Sequence, residues 1–147
     1  MSTEENKATI RRIYDEFNKG NYDIVDECFA DDFKVVRNSG LVLDRDGLKN
    51  FLVGIQNGIP DLQRTLNDIV AEGDNVAFNF TWTGTDKNGI GGAPATGKQL
   101  TIKEAYFSRF KNGKIVEYKQ FSDTLVMLQQ GGFLPPTQEI IQAYTKR

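Results

Sequence analysis

Residues 107–132 read FSRFKNGKIVEYKQFSDTLVMLQQGG. Two runs of strand-forming residues flank Asn112-Gly113. An Asn-Gly pair in that setting marks a β-hairpin, because a type I′ turn needs positive φ at both central residues. With a two-residue loop, Lys111 faces Lys114. Regular pairing then continues as Phe110 with Ile115, Ser108 with Glu117, Tyr106 with Lys119, Glu104 with Phe121 and Ile102 with Asp123. Side chains alternate between faces along a strand. This register predicts one face carrying Ile102, Glu104, Tyr106, Ser108 and Phe110 with Ile115, Glu117, Lys119, Phe121 and Asp123. Phe107, Val116 and Tyr118 fall on the opposite face.

On the first face Glu104 and Asp123 become diagonal neighbours, about 7–8 Å apart at the backbone. If that face is enclosed, desolvation and mutual repulsion raise the pKa of at least one of the two carboxyls. If it is solvated, the same residues are scattered surface charges, and Lys119 pairs with Glu117 or Glu104 and keeps them ionised. A bulge anywhere in the ribbon shifts the register and dissolves the pairing.

Upstream of the hairpin the pattern is first helical. Ser2-Thr3-Glu4-Glu5 reads as a capping box, followed by Ile10, Ile13, Tyr14 and Phe17 on one stripe and a stop at Gly20. A second short helix starts at Asn21 and carries Tyr22, Val25, Cys28 and Phe29. Residues 31–43 form a short strand pair or an irregular turn. Leu43 and Leu48 bracket Asp44 as a hydrophobic staple. The third helix shows Leu48, Phe51, Leu52 and Ile55 and stops near Gly58 and Pro60. From Asp61 the period changes to two. Residues 62–71 are a strand and residues 72–75 a turn. Val76, Phe78, Phe80 and Trp82 then give one heavily aromatic strand face. Residues 86–97 are a glycine-rich loop without the spacing of a phosphate loop and without a following helix. Residues 98–110 and 114–123 complete the sheet. Residues 125–128 and 140–144 are short apolar helical patterns, with Pro135-Pro136 opening the last. Helices first and a hairpin-connected antiparallel sheet after predict an α+β fold, one domain over residues 1–147. A long sheet curved around helices encloses a space suited to one small apolar ligand.

Composition narrows the chemistry. The net charge is −2 and the hydrophobic fraction 39%, which gives no reason to expect nucleic acid or an anionic membrane as partner. The polar start MSTEENKATIRR has no signal-peptide core, and no run nears ~20 apolar residues, so the expected compartment is the cytoplasm. Cys28 is the one cysteine and reads as core before nucleophile. The chain contains no histidine. That removes Ser-His-Asp and Cys-His triads and histidine metal sites. Acid–base chemistry near neutral pH then rests on carboxylates, Tyr, Lys or Cys.

Several segments, in this order, resemble the SnoaL-like polyketide cyclases, within the wider cone-shaped NTF2-like fold. They are the opening helix with Tyr14 and Asn18, then Phe29-Ala30-Asp31-Asp32-Phe33, Arg45-Asp46-Gly47-Leu48 and Pro60-Asp61-Leu62. Glu72-Gly73-Asp74-Asn75-Val76, Gly84-Thr85 and Ala95-Thr96-Gly97-Lys98 follow. Arg109-Phe110, Gly113-Lys114-Ile115-Val116-Glu117, and Asp123 with Gln130 and Gly132 close the match. The resemblance implies N-terminal helices packed against a strongly curved antiparallel sheet, a cavity open at one end, and a homodimer through the sheet. It implies no metal and no cofactor, and an Asp at the place of Asp123 as general acid/base in an aldol ring closure. Where many relatives have a histidine after Gly-Thr, this chain has Asp86. Where many have one after Asp-Asp-Phe, it has Val35-Val36-Arg37-Asn38. Lys119 stands where relatives often carry Trp.

The expected site is therefore Asp123 as the base abstracting a proton next to a carbonyl, as in aldol cyclisation or isomerisation. Tyr14, Phe17, Asn38, Phe51, Trp82, Glu104, Tyr106 and Phe121 line a pocket for a small apolar or polycyclic molecule. Tyr106, Asn38 or a water stabilises the enolate. Two other readings stay open. Asp123 is also a favourable N-cap for a helix over residues 124–130, contributing about 1 kcal/mol. The same scaffold also serves noncatalytic binding or dimeric interaction domains.

Overall fold

The computed structural model describes residues 2–146. Helix α1 (Thr3–Asn18) opens on the capping box. Ser2 Oγ accepts from the Glu5 amide at 3.0 Å, and Glu5 Oε2 accepts from the Ser2 amide at 3.2 Å. Its stripe of Ile10, Ile13, Tyr14 and Phe17 is buried. Helix α2 (Ile24–Cys28) starts three residues after the expected Asn21 and ends one residue before the expected Phe29, because Phe29 leaves it in extended conformation and starts strand β1 (Phe29–Val36). Strand β2 (Val42–Asp44) pairs antiparallel with β1, the strand-pair alternative for residues 31–43. Asp44 then caps helix α3 (Arg45–Gly58), its Oδ1 accepting from the Gly47 amide at 2.7 Å.

Strands β3 (Gln63–Glu72), β4 (Asn75–Thr85), β5 (Gln99–Lys111) and β6 (Lys114–Ser122) follow as an antiparallel meander. Helices α4 (Thr124–Gln130) and α5 (Thr137–Thr145) end the chain. The sheet order is β2-β1-β6-β5-β4-β3. The sheet is mixed rather than wholly antiparallel, since β1 returns beside β6 in parallel. That pairing joins the first strand to the last, a contact of high sequence separation with no local signature.

Bulges shape the sheet. β3 has one between Leu66 and Asp68, and the β5–β6 ribbon has one at Val116. A bulge bends its strand and increases the local twist. The second also overturns the regular register. The turn is as expected, with Asn112 at φ 53° and Gly113 at φ 77°, and Lys111 and Phe110 pair with Lys114 and Ile115. Arg109 then pairs with Glu117, skipping Val116, and the pairs continue as Ser108 with Tyr118, Tyr106 with Gln120 and Glu104 with Ser122. Tyr118 and Gln120 therefore face inward, 3% and 2% exposed, while Lys119 and Phe121 turn out.

Helix α1 packs across β3 and β4, and α3 across β1 and β2. Tyr14 seats this layer, its ring 5.4 Å from Phe17 and Phe78 and 4.8 Å from Phe80. Each aromatic buried in this way contributes roughly 1.5–3 kcal/mol through lost water contact. Among the described residues no helix is long and apolar enough to cross a membrane.

Candidate functional site

Between the helices and the inner face of the sheet lies a cavity of about 280 Å³. Tyr14 and Phe17 from α1 line it, with Leu48, Phe51, Leu52 and Ile55 from α3. The sheet supplies Arg64, Phe80, Trp82, Glu104, Tyr106, Tyr118 and Ser122, and Met127 of α4 closes one side. Arg37, Asn38 and Ser39, just after β1, stand at the rim. Ile90 reaches in from the loop of residues 86–97. That loop is fixed to the end of α3, where the Gly58 carbonyl accepts from the amides of Lys87 and Asn88. A Cβ at Gly58 would collide with the Gly89 carbonyl oxygen, so the approach needs glycine. Asp86 anchors the same loop. It accepts from the Gly89 amide and from the amide and hydroxyl of Thr96, and is absent from the cavity wall.

Glu104 is the one carboxyl among the described residues lining this cavity. Strand alternation puts it in the row of Ile102 and Tyr106, and Ser122 stands opposite on β6. Its Oε1 accepts from Gln120 Nε2 at 2.6 Å, and Gln120 Oε1 accepts from the Asn38 amide at 3.3 Å. Burial raises the Glu104 pKa above the usual carboxylate range, while Gln120, Arg37 and Ser122 pull it the other way. Burial likewise raises the phenols of Tyr14, Tyr106 and Tyr118, so all three remain neutral hydrogen-bond donors. Tyr118 Oη has no partner in the fold. The Arg37 guanidinium lies 4.1 Å from the centre of the Phe51 ring, and its charge acts on both Glu104 and Tyr106.

Of the residues singled out in the sequence, Tyr14, Phe17, Asn38, Phe51, Trp82, Glu104 and Tyr106 all line the cavity. Asn38 is already engaged, its Nδ2 donating to the Ser122 carbonyl at 3.0 Å. Phe121 and Asp123 stand elsewhere. Phe121 is 56% exposed on the outer face, edge-on to Phe107. The side chain of Asp123 is exposed and caps α4, accepting from the Val126 amide at 3.4 Å, and it is not part of the cavity wall. The expected pairing of Ile102 with Asp123 does not form, because the bulge at Val116 moves β6 by one residue. Arg37, Arg64, Gln120 and Tyr118 are the site residues that pattern reading misses. One signal could have found Arg64: it shares a strand phase with Leu62 and Leu66, a charge where an apolar residue is expected. Cys28 is buried outside the cavity. Among the described residues no cluster of three or more His, Cys, Asp or Glu could hold a metal ion.

Residues 8–131 match the SnoaL-like polyketide cyclase family. Solved structures share the architecture. A SnoaL-like polyketide cyclase candidate from Jannaschia sp. CCS1 superposes with a TM-score of 0.82 at 22% identity, covering 90% of this chain and 95% of its own. The polyketide cyclase candidate IdmH from Streptomyces antibioticus gives 0.77 at 31% identity, over 86% and 98%. The hydroxylase candidate AclR from Streptomyces galilaeus gives 0.83 at 25% identity, over 91% and 100%. No curated protein matches the chain.

Proposed function

Since this chain belongs to the SnoaL-like polyketide cyclase family, we propose that its cavity binds a small, largely apolar ketone and moves a proton at the carbon beside the carbonyl, with Glu104 as the acid/base. The observation that carries this reading is a carboxyl facing an apolar cavity and gripped by the buried Gln120 at 2.6 Å. A general base works best when its pKa lies near the working pH, and burial moves Glu104 in that direction.

The step balances with side chains alone. The Glu104 carboxylate takes the proton, the C–H bond breaks, and its electron pair enters an enolate whose charge falls on the former carbonyl oxygen. The Tyr106 phenol and the Arg37 guanidinium line the cavity with Glu104 and are donors that can face that oxygen. The enolate then attacks a second carbonyl and closes a ring by aldol addition, the new alkoxide taking the proton back from Glu104, or Glu104 returns the proton to a different carbon, giving isomerisation. Gln120 holds one of the two carboxylate oxygens, Oε1.

The test uses 2-tetralone in deuterated buffer, with exchange beside the carbonyl followed by NMR. General base catalysis of this kind is worth about 10²–10⁴-fold. We expect the folded wild-type protein to accelerate exchange by at least about 10²-fold. Glu104→Gln should abolish the acceleration, and Asp123→Asn should keep it. The reverse pattern would return the role to Asp123. Binding of 2-tetralone without exchange in any form would make the protein a noncatalytic binding domain. For assembly, we propose a homodimer through the outer sheet face, supported by Phe107 and Phe121, both 56% exposed and in mutual contact. A monomer in sedimentation at micromolar concentration would count against it.

A further inference from the structure

The cavity contains one carboxyl but two guanidiniums. Arg64 sits on β3 opposite Trp82 and is 8% exposed. Its Nη1 donates to Tyr22 Oη at 3.3 Å, and its guanidinium lies 5.3 Å from the Phe17 ring centre and 5.7 Å from that of Tyr22. None of the ion pairs among the described residues includes it. A guanidinium has five N–H donors, and Tyr22 takes one. A charge buried in this way is costly unless it is paired. Fixing β3 does not require the side chain, because Asn18 already clamps the Arg64 backbone, donating to its carbonyl at 2.7 Å and accepting from its amide at 2.8 Å. Glu104 is not its ion-pair partner, since that carboxyl is engaged by Gln120, and the Arg64 charge acts on it only from a distance, behind that of Arg37.

The geometry points to a ligand carboxylate as the missing partner: we propose that the cavity takes a bicyclic molecule bearing one carboxylate, anchored on Arg64. This rests on the reading of the cavity as the substrate site and names the class of molecule it admits. One guanidinium offers a carboxylate two parallel N–H donors. The rest of the wall suits the body of such a ligand, with Phe80, Trp82, Phe51 and Ile55 presenting apolar surface. Size sets the ring count. A cavity of about 150 Å³ holds benzene, and this one is about 280 Å³, which leaves room for two fused rings and a short substituent.

The probes are 2-naphthoate and 2-acetylnaphthalene, which share a bicyclic body and differ in charge at one substituent. Trp82, the one tryptophan of the chain, lines the cavity and reports binding by fluorescence quenching, with calorimetry as a check. Hydrogen bonds to a charged group imply a preference of at least about tenfold for naphthoate in the wild-type protein. Arg64→Gln should erase that preference and leave ketone affinity within a few fold, and Arg64→Lys should keep part of it. Equal affinity of the two probes for wild type would overturn the proposal without any variant, so a variant that fails to fold does not rescue it. An undiminished preference in a folded Arg64→Gln protein would overturn it equally. Exchange into 2-tetralone is scored separately. Exchange without a naphthoate preference sinks the anchor alone, and a preference without exchange sinks the proton-transfer reading alone.

Discussion

The two ends of the β5–β6 ribbon follow different rules. At the closed end, Asn112 and Gly113 adopt the left-handed φ values that their residue types favour, and the first pairs fall where the turn dictates. Local chemistry decides everything there. At the open end, the faces of Glu104, Tyr106 and Gln120 depend on Val116, a residue with nothing unusual about it, which bulges out of the ladder. A single extra residue exchanges Lys119 for Gln120 beside Tyr106, and Phe121 for Ser122 beside Glu104. The site is therefore built by a non-local feature sitting on a locally determined turn. The bulge allows β6 to put Ile115 and Tyr118 both inside, although they are three residues apart.

The largest expected effect comes from removing that asymmetry the wrong way. An alanine inserted between Arg109 and Phe110 opposes Val116 and restores regular alternation, but it sets the two ends of the ribbon against each other. Either Phe110 and Ile115 stay in and Tyr106, Ser108, Tyr118 and Gln120 turn out, or the open end keeps its face and Phe110 and Ile115 turn out. We expect a cost above ~5 kcal/mol, the low end of domain stability, seen as loss of near-UV dichroism and of a cooperative melt. Deleting Val116 instead leaves Arg109 opposite Glu117, so Gln120 should still reach Glu104 and the fold should persist with a modest loss. If insertion and deletion prove equally mild, the bulge does not set the faces.

The same contrast accounts for what could be read in advance. The capping box of α1, the Asp44 cap of α3, the Asn-Gly turn and the change of period near Asp61 are local, and each describes the molecule. Aromatic residues at helical or alternating spacing were also readable, which is why Tyr14, Phe17, Phe51 and Trp82 were recognisable as inward. Gln120 was not, because a buried glutamine on a strand is indistinguishable from a surface one until the register is known. Arg37 and Arg64 escaped for a related reason. Each continues the apolar phase of its strand, Arg37 after Phe33 and Val35, Arg64 between Leu62 and Leu66, and charge on that phase breaks the expectation of an apolar core. Such breaks are where function is to be sought.

A smaller effect probes Glu104 without any ligand. Its pKa is raised in the fold, chiefly by burial, so the folded protein holds this proton more tightly than the unfolded chain does. The associated stability is fully present below the ordinary Glu value, about 4.3, and is lost as pH rises through the raised value in the fold. Wild-type protein should therefore lose stability across that interval relative to Glu104→Gln, and the two urea midpoints should run parallel above it. Parallel curves throughout would mean that the carboxyl is as well solvated in the fold as in the unfolded chain.

The smallest expected effect belongs to the second carboxyl, and it separates a cap from a catalyst. Asp123 Oδ1 accepts from the Val126 amide at 3.4 Å, at the long end for a hydrogen bond. Helix α4 has other supports. Gln130 holds it to β5, Oε1 accepting from the Thr101 amide at 2.8 Å and Nε2 donating to the Thr101 carbonyl at 3.0 Å. The Asp123 amide also donates to the Lys103 carbonyl at 3.2 Å, a bond that survives any change of side chain. N-cap removal costs about 0.5–2 kcal/mol, and a long bond on an otherwise anchored helix belongs in the lower half of that range. Asp123→Ala should thus lower stability by about 0.5–1 kcal/mol in urea titration, and exchange into 2-tetralone should proceed at the wild-type rate. The informative failure is a variant of unchanged stability that no longer exchanges. It would mean that Asp123 reaches the substrate from the end of β6, and that Glu104, for all its burial, only holds Gln120 in place.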